Sequence, residues 1–172
     1  MKKKIFTLLT LLLCAFSMNA NAAAKSDFTN GEVFWMTTAN ADAADWITVN
    51  STSTGRVTPT VDPSTGDAYE GEALTVYRVK QWKSRYLELT VKGVSAIELF
   101  ANCPNATATR TLKATVNQTE EANAITVVTI NAAESQQGSG TIELDAEKEN
   151  VIRVYADGDL DFYAVKVTVP AT

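Results

Sequence analysis

From residue 86 onward, apolar side chains recur at every second position, the period of an extended chain whose alternate residues face opposite ways. In Tyr86 to Lys92, Leu87, Leu89 and Val91 share one face, and Tyr86, Glu88, Thr90 and Lys92 share the other. Lys92-Gly93 then begins a tight turn into Ala96 to Ala101, where Ile97 and Leu99 alternate with Ala96, Glu98 and Phe100, so the two runs read as a hairpin. In Thr109 to Val116 the apolar set is Leu112, Ala114 and Val116. The last run sets Tyr163, Val165, Val167 and Val169 against Phe162, Ala164, Lys166 and Thr168, and Pro170 stops it.

Further strand-like runs lie at 74–80, 125–130, 141–144 and 151–155, with shorter ones at 33–36 and 46–49. Helix signals are nearly absent. Roughly nine or ten strands at this spacing predict an all-β fold, an antiparallel two-sheet β-sandwich of the jelly-roll type. Residues 50–71, rich in Thr, Ser, Gly, Pro and Asp, show no sustained period and read as a long surface loop.

The amino terminus changes the charge. Lys2, Lys3 and Lys4 precede an apolar stretch from Ile5 to Phe16, and Ala20-Asn21-Ala22 places small residues where a signal peptidase reads. Residues 1–22 are therefore expected to be a secretory signal cleaved after Ala22, leaving one domain over 23–172. The apolar run is shorter than the roughly 20 residues of a membrane span. Cys14 is no lipidation site, because Leu13 stands where a small residue is required. The expected destination is the periplasm or the extracellular space. Removing three lysines takes the formal charge from −5 to −8, which disfavours nucleic acid as a partner. Cys103 is left without an internal disulfide partner.

The chain contains no histidine. Ser-His-Asp and Cys-His catalysis lack their proton carrier, and an imidazole-based zinc site lacks its ligand. Glu70 with Glu72, and Glu120 with Glu121, are sequence neighbours rather than carboxyls facing each other across a sugar. No catalytic residue and no cofactor is expected. Asp157, Asp159 and Asp161 stand at alternate positions, which suits a hard cation such as calcium. Against that, Asp157-Gly158 has the composition of a hairpin turn, and the spacing is not that of a calcium loop.

One segment departs from the acidic background. Tyr77 to Tyr86 gathers four basic residues and three aromatics. An exposed Trp82 would offer a flat face to a sugar ring, with Lys80, Lys83 and Arg85 supplying charge for an anionic glycan. The competing account is a solvated hairpin whose lysines discourage edge pairing and whose Trp82 enters the core.

Three strings then carry a resemblance: Tyr86-Leu87-Glu88-Leu89-Thr90-Val91-Lys92-Gly93, Thr109-Arg110-Thr111-Leu112, and Val154-Tyr155-Ala156-Asp157-Gly158-Asp159-Leu160-Asp161-Phe162-Tyr163. Their order resembles accessory β-sandwich domains of secreted bacterial glycan-degrading proteins, notably pectin lyases and esterases. The resemblance implies a galactose-binding-like jelly roll and a non-catalytic module that holds polysaccharide, pectin-like or otherwise anionic. The alternative expectation is a structural or adhesive surface protein that works through protein contacts.

Overall fold

The computed structural model describes residues 22–171. The expected signal sequence, apart from Ala22, lies outside them, as does Cys14. In chain order the elements are β1 (Val33–Trp35), α1 (Thr38–Ala43), β2 (Ile47–Asn50), β3 (Thr54–Val57), β4 (Leu74–Val79), β5 (Tyr86–Val91), β6 (Ala96–Asn102), β7 (Thr109–Val116), a 3₁₀ turn (Glu121–Asn123), β8 (Ile125–Asn131), β9 (Gln137–Glu143), β10 (Asn150–Ala156) and β11 (Leu160–Thr168). The strands form two antiparallel sheets. One has the order β3-β4-β11-β6-β9, with β1 also pairing β11; the other has the order β2-β5-β10-β7-β8. From β4 to β11 the chain passes from one sheet to the other at every connection except the β7–β8 hairpin. That is the strand order of a jelly roll, so the expected fold class holds.

The core lies between the sheets. Leu87 and Leu89 of β5, Ile97 and Leu99 of β6, Leu112 of β7, Ile152 of β10 and Phe162 of β11 are all fully buried in one cluster. Each such side chain contributes about 1.5–3 kcal/mol relative to exposure. Phe28 and Phe34 meet Trp46 edge-on, with ring centroids 5.5 and 4.9 Å apart. Among the described residues, no helix is long and apolar enough to cross a membrane.

Several expectations fail in an instructive way. The runs 86–92 and 96–101 are not a hairpin: β5 pairs with β2 and β10, whereas β6 pairs with β11 and β9. A short Gly turn between two alternating runs serves equally well where a chain turns a corner between sheets, and here both runs bury their apolar faces in the same core. The Asp157-Gly158 turn likewise joins β10 to β11 across the sandwich. Gly158 does not adopt a positive φ. A side chain there would instead overlap the guanidinium stem of Arg110, so the glycine answers a close approach.

Residues 50–71 are not simply a loop. They contain β3, which pairs with β4, and Val61 bridges Ala68 across the following excursion. That excursion lies over a second apolar cluster, on the outer face of the six-stranded sheet. Val57, Val76, Tyr163 and Ala164 are buried there, and Trp35 and Phe100 pack against them. Trp35 meets Tyr69 of the excursion at 5.4 Å between centroids, and Lys166 Nζ donates to the Pro63 carbonyl at 2.9 Å. The register of β11 shifts between Phe162 and Ala164. Tyr163 therefore sits with this outer cluster while Val165 and Val167 sit in the core, so the even alternation expected for β11 breaks at the bulge. Helix α1 is also unanticipated; Thr37 caps it by accepting from Asn40 N at 3.2 Å.

Candidate functional site

The basic and aromatic segment is an arch between the sheets, not a hairpin, because β4 and β5 belong to different sheets. It closes through Lys80 N donating to Arg85 O at 2.9 Å and Arg85 N donating to Gln81 O at 3.1 Å. Trp82 stands at its tip and is half-buried; Lys83 beside it is exposed.

Beneath the arch, on the outer face of the five-stranded sheet, Thr48, Glu88, Arg153 and Thr115 form a lateral row across β2, β5, β10 and β7. The Arg153 guanidinium lies 4.3 Å from the ring centroid of Trp82 and 3.8 Å from that of Tyr86. Its Nε and Nη2 donate to Glu88 Oε1 at 2.8 and 2.6 Å, and its Nη1 donates to the Trp82 carbonyl at 3.1 Å. One arginine thus ties the arch to the sheet with every donor nitrogen engaged. Cation–π contacts of this kind are worth about 0.5–2 kcal/mol, the larger values where water is excluded. Among the described residues, two buried polar atoms in this neighbourhood have no hydrogen-bond partner: Trp82 Nε1 and Thr115 Oγ1. A buried unpaired donor or acceptor costs about 1–3 kcal/mol.

A cleft of about 430 Å³ opens beside the indole, lined among others by Lys80, Trp82, Lys83, Glu121 and Asp157. Lys80 and Arg85 both face Asp159, at 3.7 and 3.1 Å. Of the three cations expected to supply charge, only Lys83 makes no ion pair among the described residues. With Glu121 and Asp157 in the same lining, the cleft is electrically balanced rather than basic.

The alternate aspartates are dispersed to separate partners. Asp157 Oδ1 accepts from Thr111 N at 2.9 Å, Asp159 meets Lys80 and Arg85, and Asp161 pairs with Arg78 at 2.7 Å. Among the described residues no group of three or more acidic or thiol side chains is placed to hold a metal ion. Cys103 is fully buried, its Sγ donating to Asn105 O at 3.4 Å.

Sequence reasoning missed Glu88, Arg153 and Thr115 as parts of this site. The available signal was a charge amid Val and Ile: Arg153 sits between Ile152 and Val154, a context in which a buried arginine needs a carboxylate opposite.

No protein-family model and no curated protein sequence matches the chain. Its structure is similar to solved carbohydrate-binding modules. A family 35 module from Clostridium thermocellum aligns with 17% identity and a TM-score of 0.41, over 78% of this chain and 97% of that one. The CBM22-1 xylan-binding domain of Paenibacillus barcinonensis Xyn10C aligns with 13% identity and a TM-score of 0.43, over 84% and 99%. A family 35 module from Paenibacillus barcinonensis aligns with 17% identity and a TM-score of 0.41, over 83% and 100%. At these values the likeness concerns the sandwich and contributes no functional argument.

Proposed function

We propose that this protein is a secreted, non-catalytic module that binds polysaccharide in the cleft beside Trp82. The observation that carries the reading is the state of the indole. Trp82 is only half-buried, its ring is held against the Arg153 guanidinium, and it lines the cleft at the tip of the arch. A saccharide offers an apolar ring face that can stack on the part of the indole lining the cleft, with hydroxyls for the polar side chains around it. Lys83 is the cation free to contact a ligand, while Lys80 and Arg85 shape the arch through Asp159. The balanced charge of the cleft favours an uncharged stretch of glycan there, including the esterified portions of a pectin-like polymer.

The protein-contact alternative has less support. The large apolar side chains exposed among the described residues are Val61 and Ile125, one over each sheet, which is far from a contiguous docking patch.

Affinity gel electrophoresis against a panel of neutral and acidic polysaccharides, with Trp82→Ala run beside the wild type, tests the reading. Retardation by at least one glycan that is abolished in Trp82→Ala is expected. A wild type that no glycan retards, or a variant retarded equally, would overturn it.

A further inference from the structure

We infer that a second cleft, on the outer face of the six-stranded sheet, receives the carboxylate of an acidic sugar. The inference rests on the polysaccharide reading for its ligand class but uses none of the residues of the Trp82 cleft.

Four side chains line up across this face, because Arg78 on β4 is opposite Asp161 on β11, Asp161 is opposite Asn102 on β6, and Asn102 is opposite Gln137 on β9. They border a cleft of about 600 Å³ whose lining also includes Arg56 and Thr60. Asp161 is fully buried and accepts from Arg78 Nε at 2.7 Å and from Nη2 at 3.4 Å. The strand beside them makes room for this pair: any side chain at Gly55 would overlap the Asp161 carboxylate.

A buried ion pair of this kind adds little net stability over apolar residues of similar volume. What it does here is hold a guanidinium in one orientation. Asp161 occupies one edge of the planar fork. Nη1 makes no hydrogen bond among the described residues, so the Nη1–Nη2 edge remains for a second acceptor. The Arg78 side chain is 24% exposed, so that edge is reachable. The Asn102 amide and the Arg56 guanidinium likewise make no side-chain hydrogen bond or ion pair among the described residues, and Arg56 is exposed. Gln137 fixes the wall instead, donating from Nε2 to Thr58 O and accepting from Thr60 N, both at 2.9 Å.

Two arginines against one aspartate leave this cleft positive by one charge within an acidic chain. A free guanidinium edge matches the two coplanar oxygens of a carboxylate, and the neighbouring amide and hydroxyl suit the hydroxyls of a pyranose ring.

Trigalacturonate and its fully methyl-esterified form, identical except for the charge, are the probes, followed by amide NMR titration of the protein. Replacing Arg78 would strand Asp161, so the test uses Arg56→Gln with Asn102→Ala, which leaves the ion pair in place. The acid is expected to shift the amides of Arg78, Asn102 and Gln137, the ester is expected to leave them unmoved, and the double variant is expected to weaken this binding at least tenfold. Trp82→Ala is expected to leave the acid's effect at Arg78 unchanged, which separates failure of the first cleft from failure of the second. An ester that moves the same amides, acetate that reproduces the effect at equal carboxylate concentration, an acid that leaves these amides unmoved, or a double variant that binds like wild type would overturn the inference.

Discussion

Each sheet of the sandwich carries one arginine–carboxylate pair on its outer face, bridging neighbouring strands, and the two pairs differ in what the arginine has left to give. Arg153 on the five-stranded sheet is spent: Glu88 takes two of its nitrogens, the Trp82 carbonyl takes the third, and two aromatic rings lie against the guanidinium. Arg78 on the six-stranded sheet gives one edge to Asp161 and keeps the other. The same pairing works as a pillar on one face, holding an aromatic arch in place, and as a mount on the other, aiming an unused donor edge into a cleft. An ion pair on a sheet is therefore best read by the hydrogen-bonding capacity it leaves over.

The comparison can be broken most severely at its pillar. Arg153→Ala strands the Glu88 carboxylate, whose side chain is 9% exposed, and is expected to cost about 3–5 kcal/mol in urea unfolding. A loss below about 1 kcal/mol would mean that the pair does not anchor the arch.

The opposite face offers a pH test. Burial, reinforced by the Glu98 charge, pushes the Tyr163 phenol up to about 12. The folded state thus holds this proton more tightly than the unfolded chain, whose tyrosines titrate near 10. The associated stability, about 2–3 kcal/mol, is fully present below pH 10 and is lost as the pH rises toward 12. Unfolding curves across that window should fall more steeply for the wild type than for Tyr163→Phe; parallel curves would contradict the burial of Tyr163 in the outer apolar cluster.

Trp82→Ala removes one of the two rings that contact the Arg153 guanidinium and is expected to lower stability by about 1–2 kcal/mol, measured by thermal unfolding. The smallest effect on stability belongs to Asp159→Asn. Its ion pairs are more than a third exposed, so less than about 0.5 kcal/mol is at stake. The same substitution frees Lys80 and Arg85, and retardation by polygalacturonate in affinity gels is expected to increase. Unchanged retardation would separate those two lysine and arginine charges from the Trp82 cleft.

The strands themselves were legible because period-two alternation follows directly from burying one face. Leu87, Leu89, Ile97, Leu99 and Leu112, placed on inward faces by pattern alone, are all fully buried. Pairing was not legible, since alternation says which face is buried and nothing about which sheet a run joins. That is why β5 and β6, or β10 and β11, looked like hairpins when each pair straddles the core. Elements with weak side-chain signals escaped: β3 reads Thr-Gly-Arg-Val, and the first half of β9 carries Gly138 and Gly140. The site was half legible. Composition singled out the Trp82 arch, but the row Glu88–Arg153–Thr115 depends on strand register, and so does the row through Arg78, Asp161 and Asn102.

The measurement closest to the central claim is the indole N–H spectrum of the protein, titrated with methyl-esterified trigalacturonate. The chain has three tryptophans, and Trp46 is buried in the core. Ligand that stacks on Trp82 should change the surroundings of its ring and shift that resonance, while the Trp46 resonance stays in place. A Trp82 resonance that remains unmoved when a retained glycan is present at saturation would contradict the account.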